Sequence, residues 1–253
     1  MSDTKIRKEK KVDNMVIVTT LYNCEEYIQQ CIGSIMGQTF KDFKCYITDD
    51  MSTDRSVEKA KELIDGDDRF ILIQNTEKFY QPGNYDQVIR DNSEIDDNEV
   101  IVEIDGDDWL PDSKTLARID ATYKVDNIWI ANGCFMYSNG VKGFAAAPRD
   151  FDNIRQENFT ASHIRTWRAF LWRAIEQDYL KDDNGIYWEV AGDLAFMFPM
   201  IEMAGPEHYY FMDEVNYIYN EQNPLNDHKV NMDKVNNAVR VLRGRPKYER
   251  LIR

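Results

Sequence analysis

Three stretches in the first ninety residues share one pattern: a short apolar run rich in β-branched residues, a polar turn, then apolar residues spaced three and four apart. Met15–Leu21 (MVIVTTL) is the first such run and reads as a strand buried on both faces. Asn23 and Glu26 follow at the spacing of an N-cap and its reciprocal carboxylate, and Tyr27, Ile28, Cys31, Ile32, Ile35 and Met36 then keep helical period. Phe43–Thr48 is the second strand, DDMSTD its turn, and Val57, Ala60, Leu63 and Ile64 the inward face of a second helix. Phe70–Ile73 (FILI) and Val100–Ile104 (VIVEI) are further strands; between them a Pro82-Gly83 turn precedes a helix carrying Tyr85, Val88 and Ile89. Alternation at this pace predicts an α/β protein with a mostly parallel sheet covered on both faces.

From about Ile128 the pattern changes. IWIANGCFMYSNG predicts two strands near an Asn-Gly signal, and Ser162–Ile175 and Asp193–Met203 predict aromatic-rich helices built onto the edge of the first sheet. No repeat, low-complexity segment or linker divides the chain, so residues 1–253 are read as one domain. Its two halves are 13–112 and 113–228, followed by a basic helical tail, 229–253. In that tail Val230, Val235, Val239 and Leu242 share a helical face that either docks on its own domain or meets acidic lipid or a partner.

Charge narrows the partners. The net formal charge is −14. Residues 1–12 carry +3 and residues 229–253 carry +6, which leaves −23 on the body. Such a body repels nucleic acid, and no basic-aromatic interleaving offsets this. No apolar run reaches the roughly 20 residues of a membrane span, and the start has no secretory pattern, so a cytoplasmic protein is expected. The basic ends leave open peripheral contact with a cytosolic membrane face. Cys24, Cys31, Cys45 and Cys134 have neither metal-ligand nor paired spacing, which fits a reducing compartment.

In open α/β sheets ligands bind beyond the carboxyl ends of the strands. Those ends here are Thr20-Leu21-Tyr22-Asn23, Asp49-Asp50 and Asp105-Gly106-Asp107-Asp108. Neither a glycine-rich dinucleotide turn nor a GxxxxGK[ST] phosphate loop is present, and the EF-hand spacing is missing. Carboxylates at a strand end instead suit Mg²⁺ or Mn²⁺ bridging protein oxygens and a phosphorylated ligand. DGDD also serves as an ordinary acidic turn; its place after an apolar strand and before Trp109-Leu110-Pro111 favours a site.

With VIVTTLYN, QTFKDFKCYITDDMSTD and DGDDWLPD in this order, the chain from about Val16 to Pro224 resembles the inverting family 2 glycosyltransferases of the GT-A fold. That fold is a Rossmann-like, mostly parallel sheet flanked by helices with an acceptor-side extension. The resemblance implies transfer of a single sugar from a nucleoside-diphosphate sugar to a glycan, lipid-linked or protein acceptor, with Mn²⁺ or Mg²⁺ as cofactor. Carried over, Thr20 and Tyr22 line the base pocket, Asp50 accepts from the base, and Asp105 reaches the ribose or a metal-bound water. Asp107 holds the metal, with His228 a further ligand candidate, and Lys78 meets the donor phosphate. The family's acidic pair at a helix start maps to Gly192-Asp193, so Asp193 is the expected base although Gly192 departs from the pattern; Glu189 is the fallback. His163 and Arg165 are acceptor-side candidates, with Trp167 and Trp172 as sugar platforms or core. The Gln/Arg-x-x-Arg-Trp motif of processive members is absent. A sugar-phosphate nucleotidyltransferase lacks its glycine-rich loop here, and a degenerate binding module is the other alternative.

Overall fold

The computed structural model describes residues 15–125, 127–226, 229 and 232–253. Seven strands form one sheet in the order β3-β2-β1-β4-β6-β5-β7. They are β1 (Met15–Leu21), β2 (Phe43–Asp49), β3 (Phe70–Gln74), β4 (Val100–Asp105), β5 (Ile130–Tyr137), β6 (Arg165–Arg168) and β7 (Tyr209–Tyr219). β1 runs parallel to β2 and β4, and β2 to β3; β6 is antiparallel to both β4 and β5, and β7 is parallel to β5. Every strand except β6 therefore ends on the same edge. The helices are α1 (Ile28–Met36), α2 (Ser56–Ile64), α3 (Tyr80–Ile89), α4 (Thr115–Tyr123), α5 (Ala169–Arg173), α6 (Gly192–Ala204) and α7 (Met232–Gly244).

Alternation along the strands divides the core in two. Met15 and Ile17 of β1 join α1, α2 and α4 through Ile32, Ala60 and Leu116, while Val16 and Val18 face the opposite layer with Tyr85, Trp172 and Phe196. Both faces are covered, which is why the runs are apolar throughout. The first four strands form where expected, and β2, β3 and β4 each run one residue further, into Asp49, Gln74 and Asp105.

Several expectations are corrected. Asn23 does not cap α1, which begins at Ile28 with no side-chain cap; Asn23 is left-handed (φ 48°) and its Oδ1 accepts from Thr53 N at 2.8 Å. Pro82 and Gly83 lie inside α3, in the first turn, where a missing N–H costs nothing. Ile130–Tyr137 is one strand rather than two, turning at Asn139-Gly140, where Gly140 has φ 88°. Ser162–Ile175 is not a single helix: it supplies β6, inserted between β4 and β5, and then the short α5. Trp167 and Trp172 are fully buried and packed with Tyr85 and Phe196, so they are core, not sugar platforms.

The tail docks on its own domain. Ala238 and Leu242 of α7 are buried against α6, while Val230 lies outside the described residues. Arg155, paired with Glu202 at 2.5 Å and 2.7 Å, also donates to the carbonyls of Leu242 and Arg245, and Glu202 accepts from Tyr248 N. Arg243, Arg245, Lys247, Arg250 and Arg253 all donate to backbone carbonyls or carboxylates of the body. Most of the +6 is thus engaged internally. Among the described residues no helix is long and apolar enough to cross a membrane.

Candidate active site

Two loops at the strand edge are laced together. Glu25 N donates to Asp54 Oδ2 (3.0 Å), Arg55 N to Glu25 Oε2 (2.9 Å), and Asn23 N to Ser52 Oγ (3.0 Å). This joins the ends of β1 and β2 into one wall. Asp50, buried, accepts from Phe79 N (2.8 Å), Tyr80 N (3.1 Å) and Asn75 Nδ2 (3.3 Å), so its carboxylate caps the start of α3. Lys78 Nζ donates to Asp50 O (2.6 Å) and lies 3.0 Å from the centroid of the Tyr22 ring, itself 44% exposed. Burial lowers the Lys78 pKa, against the pull of Asp50 and Asp49. Tyr22, Asp50 and Lys78 are therefore in one place.

β4 delivers four carboxylates over six positions. Asp105 Oδ1 accepts from Thr20 Oγ1 (3.1 Å) and Gln81 Nε2 (3.3 Å), and its backbone N donates to Tyr217 Oη (3.0 Å). Burial and the neighbouring Asp107 push its pKa up to about 6. Asp107, partly exposed, accepts from Asn223 Nδ2 at 2.7 Å, and burial raises its pKa too. Asp108 is buried, accepting from Asn220 N at 2.7 Å, with its pKa raised by burial and then by Asp107; its Oδ2 has no partner. Gly106 lets the turn close, since a Cβ there would stand 2.7 Å from Thr20 O.

Glu103 went unnoticed in the sequence. It is fully buried within the apolar β4, and its Oε1 accepts from Arg165 Nη1 (2.7 Å) and Gln81 Nε2 (3.0 Å) while Oε2 has no partner. Burial pushes its pKa up to about 8, against the attraction of Arg165. Arg165 is the next cross-strand position beyond the Val102–Thr166 pair and reaches on to Asp193 Oδ2 at 2.8 Å. Asp193, in the first turn of α6, keeps 25% of its side chain exposed. Its helix packs close on α3, because Gly192 has no Cβ to strike Pro82, 2.9 Å away. His163 is buried, stacked on Tyr217 (4.5 Å, 11°), and burial with Arg165 nearby keeps its pKa well below the usual range. It is not an exposed acceptor contact. Glu189, the fallback, is paired with Lys234 and sits beside Tyr80 and Lys78 on the α3 side of the cleft. His228 lies outside the described residues.

Metal-ligating atoms of Glu103, Asp105 and His163 fall within 4.8 Å of one another. Arg165 Nη1, 3.4 Å from His163 Nδ1 and bonded to Glu103, already fills the cationic place there. Asp105 and Asp107, desolvated and mutually repelling, are the oxygens whose raised pKa values a divalent cation would relieve. The residues therefore fit Mg²⁺ or Mn²⁺. Gln81 and Asn223, which hold these carboxylates, and Tyr217, which accepts from the Asp105 backbone N–H, left no sequence signal. Glu103 did: one charge in VIVEI needs a buried partner.

A parallel sheet with an acidic strand end, no glycine phosphate loop and an antiparallel insertion beside β4 is the GT-A class of fold. Residues 16–188 match the profile described as Glycosyl transferase family 2, and the chain belongs to that family. It is 28% identical over 143 residues to Glycosyltransferase GlyA of Streptococcus pneumoniae, covering 52% of this chain and 18% of that protein. The fold is similar to S. aureus TarS 1-349 in complex with UDP-GlcNAc, with TM-score 0.62 and 16% identity over 83% of this chain and 59% of that one. It is also similar to glucosyl-3-phosphoglycerate synthase of Mycobacterium tuberculosis with Mn²⁺ and UDP, with TM-score 0.62 and 12% identity over 93% and 82%. The chain thus spans a minor part of GlyA and under two thirds of that TarS fragment.

Proposed function

We propose that the chain is a metal-dependent, inverting glycosyltransferase that moves one sugar from a nucleoside-diphosphate sugar to an acceptor hydroxyl. The observation that carries this is the line of contacts from Asp105 through Gln81, Glu103 and Arg165 to the helix-start carboxylate Asp193, with Asp107 acting on Asp105 from the same strand end. Tyr22 lines the base side with Lys78, the donor-phosphate contact, over its ring; Asp50 holds the α3 turn beside them, and Thr20 fixes Asp105. Bound at Asp107 with Asp105, Mg²⁺ or Mn²⁺ would supply charge stabilisation for the departing diphosphate. Asp193 takes the proton of the acceptor hydroxyl as that oxygen bonds to the anomeric carbon and the bond to the diphosphate breaks on the opposite face. One displacement inverts the configuration. UDP-GlcNAc in the TarS structure, and UDP with Mn²⁺ in the glucosyl-3-phosphoglycerate synthase, support a nucleotide-sugar donor. A cytosolic site of action belongs to the same reading. Membrane contact through residues 229–253 is disfavoured by the internal pairing of their cations.

The test is a melting panel of UDP, GDP, dTDP and their common sugar conjugates, each with and without Mn²⁺. A ligand at 100 times its Kd stabilises by about 2.7 kcal/mol, so a bound donor is visible without any acceptor. A metal-dependent rise for one nucleotide, abolished in Asp107→Ala, is expected; a folded protein that responds to none would reduce the chain to a non-catalytic module.

A further inference from the structure

Arg165 stands between two carboxylates, one buried and one at the surface of the cleft. Its side chain is 4% exposed; Glu103 beyond it is fully buried, and Asp193 before it is 25% exposed. A guanidinium at such depth cannot be hydrated, so its donors must be placed in fixed directions. Nη1 points to Glu103 Oε1, Nη2 to Asp193 Oδ2, and Nε to Ala161 O at 3.2 Å. Glu103 in turn shares Gln81 Nε2 with Asp105, so one amide ties the fixing residue to the donor-side carboxylate. Leu194 N donates to Asp193 Oδ1 at 2.9 Å, leaving the carboxylate held at both oxygens with part of its surface open.

We propose that Arg165, braced by Glu103, is the positioning residue for Asp193, aiming its free lone pairs at the acceptor hydroxyl and keeping its registry with the donor. This rests on the reading of Asp193 as base. Neither Arg165 nor Glu103 touches the reacting atoms. A planar fork with two separated N–H groups can bridge two carboxylates where a single ammonium cannot, so the geometry requires arginine. Glu103 supplies an acceptor oxygen that stops the fork from turning toward Asp193 alone. A buried guanidinium–carboxyl pair is replaceable by apolar residues of like volume at little cost in stability, so a purely structural pair would be dispensable here.

The experiment compares Arg165→Lys, the paired replacement Glu103→Leu with Arg165→Met, and Asp193→Asn. Turnover is release of UDP or GDP from UDP-GlcNAc, UDP-glucose or GDP-mannose with Mn²⁺, with water as acceptor, counted per nucleotide-binding site by titration with UDP or GDP. The paired variant is expected to bind the nucleotide within threefold of the parent while kcat falls at least 30-fold, and Arg165→Lys to lose at least 10-fold in kcat with KM for the donor unchanged. A paired variant that turns over within threefold of the parent overturns the proposal, as does one that loses nucleotide binding altogether, since the pair would then serve the fold or the donor pocket. Asp193→Asn separates the two readings. If it keeps parental turnover the base assignment falls; if it is inactive while the paired variant is active, only the positioning role falls.

Discussion

A Cβ on Gly192 would lie 2.9 Å from both Cδ and Cγ of Pro82 and 3.1 Å from Gln81 Oε1. Pro82 is a rigid ring in the first turn of α3, so it cannot yield cheaply, and Gln81 is the side chain shared by Glu103 and Asp105. The departure from an acidic pair at this position is thus a packing solution: α6 starts against α3, and Ala191, in the left-handed region at φ 55°, turns the chain into it. Gly192→Ala is expected to lower stability by about 1–3 kcal/mol in urea denaturation, the range for overpacking. Gly192→Glu, which would restore the acidic pair, is expected to lower both melting point and turnover; a gain in turnover would show that the glycine reflects a lost catalytic group. The residue-level roles were legible only where chemistry marks the chain. Asp50, Asp105, Asp107 and Asp193 stand out as carboxylates at element ends, whereas Gln81, Tyr217 and Asn223 act through contacts 24, 112 and 116 positions apart in sequence.

At the scale of elements, local pattern told most where the chain is regular. β1 to β4 and α6 are apolar on a clean period, and their bounds fall within a residue or so of the expected ones. β6 was misread because Arg165–Arg168 is four residues long, too short for period to declare itself, and its insertion between β4 and β5 is decided by partners far along the chain. The C-terminal segment went the other way: its helical face left docking on its own domain or an acidic partner open, and Arg155 and Glu202, 7% and 1% exposed, bind it to the body. Arg155→Met removes one member of that buried pair and leaves Glu202 charged with little compensation. It is expected to cost about 3–5 kcal/mol in chemical denaturation and to expose Arg245, Lys247 and Arg250 to trypsin under native conditions. Unchanged stability with a protected tail would show that the apolar contacts of Ala238 and Leu242 suffice.

For the whole molecule, the burial of carboxyl groups makes stability respond to pH in an unusual direction. Glu103, pushed up to about 8 from an ordinary 4.5, binds its proton more tightly folded than unfolded. Where the native state holds more protons than the unfolded one, stability falls as pH rises. Its contribution is full below the ordinary value and lost as pH climbs through about 8. Asp105, raised to about 6, follows the same sign at lower pH, but there it is opposed by His163, which stays neutral when folded and takes a proton when unfolded below about 6.5. Between pH 6.5 and 8.5 the two no longer compete, and metal-free protein is expected to melt at progressively lower temperature across that window. Glu103→Gln, a neutral isostere, should flatten the slope. Mn²⁺ at millimolar concentration should raise the melting point at pH 8 and do less at pH 5, where a proton holds the Asp105 carboxyl, and Asp107→Ala should abolish the difference. A melting point that climbs steadily from pH 6.5 to 8.5 without metal would mean that Arg165 keeps Glu103 ionised throughout, and that the acidic edge carries its charge with no need of a cation.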